Sequence, residues 1–250
     1  MRAARLVGAA FGAWYISICG AVELPTHTTE AVVALRAFAP GGVTRRGSAV
    51  RVAPGKLVTN CHVVAGAGRI EIVREGHLSA AQLERQSIER DVCVLSTNDA
   101  GVPAVGGRPS PGQRVYAVGF PASAGLTVTK GYVVALHAHD GGHVIQTSAP
   151  FDHGASGGAL FDDDGRLVGI LAFRARVGGR FHFALPLEWF QDDAAAAPRK
   201  VPSKVPFWQA KSSELPAFLR AAALEAASNR KDFVEPAYTV SGIAGERTVR

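Results

Sequence analysis

The sequence predicts an all-β protein: two antiparallel six-stranded β-barrels followed by a C-terminal linker and helix. Short apolar or alternating runs recur between residues 30 and 188, and they fall into two groups of about six. A stretch rich in Gly and Pro, Asp99 to Gly112, separates the groups, which sets barrels at about 30–98 and 113–188. The 28 glycines and 14 prolines supply the many turns that such an architecture needs. Hydrophobic residues make up 47% of the 250 and charged ones 19%, which excludes a disordered chain and leaves ample material for a core.

Taken in order, residues 1–21 carry Arg2 and Arg5, an apolar run from Leu6 to Ile18, and small residues at Gly20 and Ala21. That is the layout of a secretory signal peptide. The run is short for a membrane span, which needs about 20 apolar residues, so an uncleaved signal anchor is the alternative. Only that alternative would bring the membrane in as a partner. The expected location is periplasmic or secreted. Residues 22–30 are polar and Thr-rich and read as an unstructured approach. The first group of strands is then 31–38, 47–53, a run from Lys56 that ends at His62, 69–74 and 91–96. Residues 78–90 are the best helix candidate before residue 185, and a weak one.

The second group is 113–119, 126–138, 143–148, 157–161, 166–173 and 180–185. Past Gln191 the composition shifts to Ala, Pro and Lys, and 192–211 read as a linker. Ser213 is the expected N-cap of a helix over 213–228, with Leu215, Phe218, Leu219 and Ala222 on one face, fit to pack on the barrels or a partner. The net charge of +6 includes no dense basic run; only Arg45-Arg46 and the group Arg174, Arg176, Arg180 concentrate it. It reads as a solubility feature, with a bias toward acidic partners rather than nucleic acid.

Chemistry is concentrated in Gly154-Ala155-Ser156-Gly157-Gly158. Glycines around a serine leave the backbone bare, so the hydroxyl can meet a carbonyl while backbone N–H groups hold the oxyanion. A glycine-rich hairpin turn is the bland alternative. A serine nucleophile also needs a base and a group that orients the base. His62 ends a strand-like run, and Asp91 is a carboxylate leading into the apolar Val92-Cys93-Val94-Leu95. Its natural use would be to accept the imidazole Nδ1–H and fix the tautomer.

Val58-Thr59-Asn60-Cys61-His62-Val63-Val64, Asp91 to Leu95 and Gly154 to Leu160, in that order, resemble the three active-site motifs of the chymotrypsin-fold, trypsin-like serine proteases. The spacings of 29 and 65 residues are most similar to the compact bacterial exported Deg/HtrA-like enzymes. The likeness covers 30–188, and with 60 residues left after 190 it implies a member without the PDZ domain that many such enzymes append. It implies a serine endopeptidase acting on polypeptides without a cofactor. Ser156 would be nucleophile, His62 general base and acid, and Asp91 the orienting carboxylate. The N–H groups of Gly154 and Ser156 would form the oxyanion hole. The nucleophile elbow of α/β-hydrolases also fits Gly154 to Gly158, but that fold places its acid and histidine after the serine and needs βαβ units.

Two departures stand out. Ala155 replaces the aspartate of digestive members, so activation by insertion of a new N-terminus is not expected, and the oxyanion loop would be held less firmly. Pro150 stands where a trypsin-type enzyme has its pocket aspartate. With Leu171, Ala172 and Phe173 as expected walls, the preference would be small or apolar rather than basic. If His62 and Asp91 touch, Cys61 and Cys93 are neighbours, and a disulfide between them is expected. The run His137-Ala138-His139-Asp140-Gly141-Gly142-His143 could suggest a metal, but it suits a hairpin turn better, and Asp162-Asp163-Asp164-Gly165 lacks the later ligands of a calcium loop. No metal site is therefore expected. Two rival functions remain: a catalytically weak or silent barrel module that binds exposed peptide segments, and a membrane-anchored protein that recruits a partner through its C-terminal helix.

Overall fold

Twelve strands close into two barrels in the computed structural model, which describes residues 24–176, 180–191, 205–211 and 213–220. A one-turn helix, α1 (Thr26–Glu30), leads into the first barrel. That barrel is built from β1 (Val32–Phe38), β2 (Thr44–Ala53), β3 (Lys56–Thr59), β4 (Arg69–Arg74), β5 (His77–Ser87) and β6 (Val92–Thr97). Their order is β1-β2-β3-β6-β5-β4, closed by pairing of β4 with β1. The second barrel holds β7 (Arg114–Gly119), β8 (Thr127–His139), β9 (Gly142–Thr147), β10 (Ala159–Asp162), β11 (Leu167–Arg176) and β12 (Arg180–Leu185). It runs β10-β11-β12-β9-β8-β7, and β7 pairs with β10 to close it. All named pairs are antiparallel. The predicted fold class is the observed one.

Side-chain alternation divides the apolar residues between three cores. Val33, Leu35, Leu57, Ile70, Ile72 and Leu95 fill the first barrel. Val115, Val133, Ile145, Leu160, Val168 and Leu171 fill the second. Residues one position away, such as Val32, Val58 and Val94, turn to the other face. There they join one cluster with Val118, Phe161 and Phe173. A strand whose two faces are both covered reads as a continuous apolar run, as Val92 to Leu95 does. The hairpins use the expected chemistry: Glu75-Gly76 and Asp140-Gly141 each place two consecutive residues at positive φ, as a two-residue type I′ turn requires.

Four sequence expectations need correction. Residues 22–30, expected to be an unstructured approach, hold helix α1 (Thr26–Glu30). The helix candidate at 78–90 is strand β5, which pairs with β4 and β6 and leaves Leu78 and Leu83 exposed. Closure of the barrel overrides a helix-forming composition there. The strand from Lys56 stops at Thr59, and His62 lies in a single-turn helix, α2 (Cys61–Val64). Finally, Ser213 is not a helix cap: helical residues begin at 217, after the Arg220 N–H bonds the Pro216 carbonyl. Pro216 therefore stands at the N-cap position, where its carbonyl accepts the first helical bond. Residues 1–21, 192–204 and 221–228, on which the leader, most of the linker and the rest of that helix were expected, lie outside the described residues.

The described part of the expected linker packs against the barrels. The Phe207 N–H bonds the Glu89 carbonyl (2.8 Å), and the Phe207 ring is buried against Phe173, Trp189 and His139. Further on, Phe218 stacks on His137 with centroids 4.4 Å apart. Two histidines of the suggested metal run, His137 and His139, are thus engaged with aromatic rings, and His137 also bonds Gln146 (2.8 Å).

Candidate active site

Helix α2 is short, and its geometry depends on what holds it. Arg45 donates to the carbonyls of His62 (2.9 Å) and Ala65 (2.7 Å), groups that a helix end leaves unsatisfied. Burial there pushes Arg45 below its ordinary value. From the other side the Cys61 N–H and Asn60 Nδ2 both donate to the Asp91 carbonyl, at 3.2 and 3.1 Å. Cys61 and Cys93 are joined by a disulfide, with Cα atoms 5.0 Å apart. Asp91 itself has φ 59, a left-handed conformation that aspartate adopts more readily than most residues.

Its carboxylate is fully buried and grips His62 twice. Oδ1 accepts the His62 backbone N–H (2.9 Å), and Oδ2 lies 2.7 Å from the imidazole Nδ1. An ionised carboxylate at that distance fixes the ring as the Nδ1–H tautomer and leaves Nε2 as the basic atom. The imidazole keeps 28% of its side-chain surface exposed.

Ser156 arrives from the second barrel, and a residue absent from the sequence reading positions it. Ser48 on β2 is fully buried at the seam between the barrels. Its N–H donates to the Ser156 carbonyl (2.8 Å), and its hydroxyl donates to the Gly154 carbonyl (2.8 Å). The same hydroxyl accepts the Phe120 N–H (2.9 Å), while Thr59 Oγ1 donates to the Ser48 carbonyl (2.6 Å). A Cβ on Gly157 would lie 2.1 Å from that carbonyl oxygen and 2.3 Å from Thr59 Oγ1, so the approach requires glycine. Ala155 packs its methyl group against Gly119 and is buried. The expected slackness of an alanine here is met by this clamp.

The loop has a defined shape. The Ala155 N–H bonds the Asp152 carbonyl (3.0 Å), and Gly154 has φ 95 at the third place of the turn, where a type II turn needs glycine. The Ala122 N–H takes the His153 carbonyl (2.8 Å). A trans peptide points its C=O and N–H in opposite directions, so the Gly154 N–H turns away from Ala122. Among the described residues neither that N–H nor the Ser156 N–H donates to a protein acceptor. The Ser156 hydroxyl donates to the Ala172 carbonyl (3.0 Å), not to His62.

A cleft of about 340 Å³ adjoins this loop, lined by Ser148, Pro150, Phe151, Leu171, Arg174 and His182 among others. Pro150 and Leu171, two of the four expected pocket residues, line this cleft. Ala172 and Phe173 do not line this cleft: Ala172 meets Ser156 through its carbonyl, and Phe173 stacks on Phe183. At the mouth, Arg174 donates to Asp152 (2.6 Å) and to His153 Nε2 (2.8 Å). Burial first, and then the Arg174 charge, hold His153 below the ordinary histidine value of 6.5.

Residues 47–170 match the family model of the trypsin-like peptidase domain. This chain carries a trypsin-like peptidase domain. It is homologous to the HtrA-type serine proteases: it is 33% identical over 127 residues to serine endoprotease DegS of Escherichia coli, and 31% identical over 147 residues to serine protease HTRA1A of Danio rerio. Those stretches are 46% and 53% of this chain but only 36% and 30% of the relatives, so the chain matches about a third of their length. Among solved structures, the HtrA-type protease AlgW with a tripeptide is 32% identical with a TM-score of 0.57, covering 65% of this chain and 58% of that one. The Rv3671c protease from M. tuberculosis, at 23% identity and a TM-score of 0.61, shares the fold, with 70% and 84% covered. The segment carrying Trp208 lies beyond the part of the trypsin-like peptidase domain that the family model matches.

Proposed function

We propose that the chain is a serine endopeptidase that hydrolyses peptide bonds through an acyl-enzyme on Ser156. The observation that carries this reading is the double grip of the buried Asp91 carboxylate on His62, on the same inter-barrel seam where Ser48 holds the Ser156 loop. In this reading the Ser156 hydroxyl leaves the Ala172 carbonyl to donate to the imidazole Nε2. His62 accepts the proton as Oγ attacks the scissile carbonyl, and Asp91 stabilises the imidazolium. The Gly154 and Ser156 N–H groups receive the oxyanion. His62 then protonates the leaving amine, and the same groups in reverse roles let water release the acyl product. General acid–base help of this kind contributes about 10²–10⁴ in rate, and one oxyanion donor about 10²–10³.

Polypeptides are the substrates under this reading. The cleft beside Ser156 supports a preference for small or apolar side chains, since its one acidic lining residue, Asp152, is largely exposed and already paired with Arg174. Export to the periplasm or beyond is part of the proposal. Its support is the leader-like sequence of residues 1–21 and a 33% identical relative, the "Probable periplasmic serine endoprotease DegP-like" of Halomonas elongata.

A second reading, a silent module that binds peptide segments, draws on the hydrogen bond between Ser156 and the Ala172 carbonyl. In resting enzymes such bonds often realign only with substrate. A fluorophosphonate probe separates the two. Covalent labelling of the wild type, abolished in Ser156→Ala and reduced by at least about 10³ in His62→Ala, is the expected result. An unlabelled wild type that still binds unfolded polypeptide would establish the silent module.

A further inference from the structure

The geometry points to Trp208 as a positioning residue for the Asp91–His62 pair, supplied by the segment that follows the barrels. This rests on the peptidase reading above. Three contacts place the indole. Its Nε1–H donates to Asp91 Oδ2 at 3.3 Å, the same oxygen that faces the His62 imidazole. Its ring meets the His62 ring edge-on, with centroids 5.6 Å apart and planes at 87°. Its other neighbour is Phe173, stacked at 5.0 Å and 13°.

A buried carboxylate needs donors for its lone pairs, and here, among the described residues, Oδ1 is taken by the His62 N–H while Oδ2 faces the imidazole and Trp208. With the indole N–H in place the carboxylate cannot rotate without losing a partner at either oxygen. Edge-on packing of the indole also limits swing of the imidazole. The tail is held where it can do this: the Phe207 N–H is tied to the Glu89 carbonyl, two residues before Asp91, and Phe207 is buried among Phe173, Trp189 and His139. A segment that composition marks as linker thus closes the far side of the catalytic pair, 117 positions along the chain from the aspartate it serves.

The test separates the N–H from the ring. Trp208→Phe keeps an aromatic face for Phe173 and His62 and removes the donor. Benzothienylalanine at position 208 does the same with the indole's own shape, and it serves if the phenylalanine variant fails to fold. The first readout is the downfield proton resonance of His62 Nδ1–H, assigned by its loss in His62→Gln, which is visible whether or not Ser156 reacts. The second is the split between kcat and KM for a peptide substrate. A shifted or exchange-broadened resonance, with kcat down about 3- to 10-fold and KM within about twofold, is the expected result. An unchanged resonance in either folded variant overturns the inference and leaves the peptidase reading standing. A wild type that never labels with fluorophosphonate removes the peptidase reading, and the resonance alone then decides whether Trp208 orients the pair.

Discussion

The two halves of the candidate site are built by different means. On the first-barrel side His62 is held redundantly: two bonds to one buried carboxylate, two carbonyls taken by Arg45, two donors on the Asp91 carbonyl, and a disulfide alongside. On the second-barrel side Ser156 sits in a glycine-rich loop whose ion pair, Asp152 with Arg174, lies on the exposed turn and not on the nucleophile. Its contact with the first barrel runs through one hydroxyl and one N–H of Ser48. The base is over-determined, whereas the nucleophile's hydrogen bonds across to the first barrel run through a single residue. Loss of the disulfide beside the first half should therefore appear as lost stability, and loss of the Ser48 clamp on the second as lost activity.

The largest expected effect breaks the redundant half. Replacing both Cys61 and Cys93 by alanine removes a cross-link over a loop of about 30 residues, which lowers stability by about 3–4 kcal/mol in denaturant titrations. The fluorophosphonate labelling rate of the folded fraction should stay within about threefold, because the hydrogen bonds around Asp91 persist. Ser48→Ala should do the reverse. Stability falls by about 1–3 kcal/mol as the Phe120 N–H loses its acceptor and the Gly154 carbonyl its donor. The labelling rate falls about 10- to 100-fold because the loop is misplaced. Equal activity losses in the two variants would end the contrast.

The smallest effect concerns pH. His153 in the folded chain lies below 6.5, so the unfolded chain takes up its proton first as pH falls. The stability it contributes is present above 6.5 and lost as pH falls through the lower folded value. His153→Gln should thus flatten the loss of unfolding free energy as pH falls below about 6.5, by less than about 1 kcal/mol, read from denaturant titrations at several pH values.

Much of this was legible because barrel strands write themselves into sequence. The alternation of Arg69 to Arg74 and the apolar run from Val92 to Leu95 give strands at nearly the observed bounds. His62, Asp91 and Ser156 stood out because their residue types are unusual beside such runs. Residues 78–90 misled because Leu78, Ala80, Ala81 and Leu83 suit a helix as well as a strand, and only the β4 and β6 neighbours decide. Ser48 and Trp208 carried no local signal. A serine in a strand and a tryptophan in a Pro- and Lys-rich stretch acquire their meaning from Gly154 and Asp91, each more than 100 positions away.

Those separations have a consequence for timing. The first barrel, with its histidine and aspartate, leaves the ribosome well before the serine loop. The Ser48 clamp cannot close until residue 154 has emerged, 106 positions after Ser48. Pairings so distant in sequence are late events in folding, since the entropy of closing the intervening chain must be met first. Whatever cutting activity the seam supports therefore switches on near the end of assembly, and a half-made chain carries the parts of a blade that has no edge.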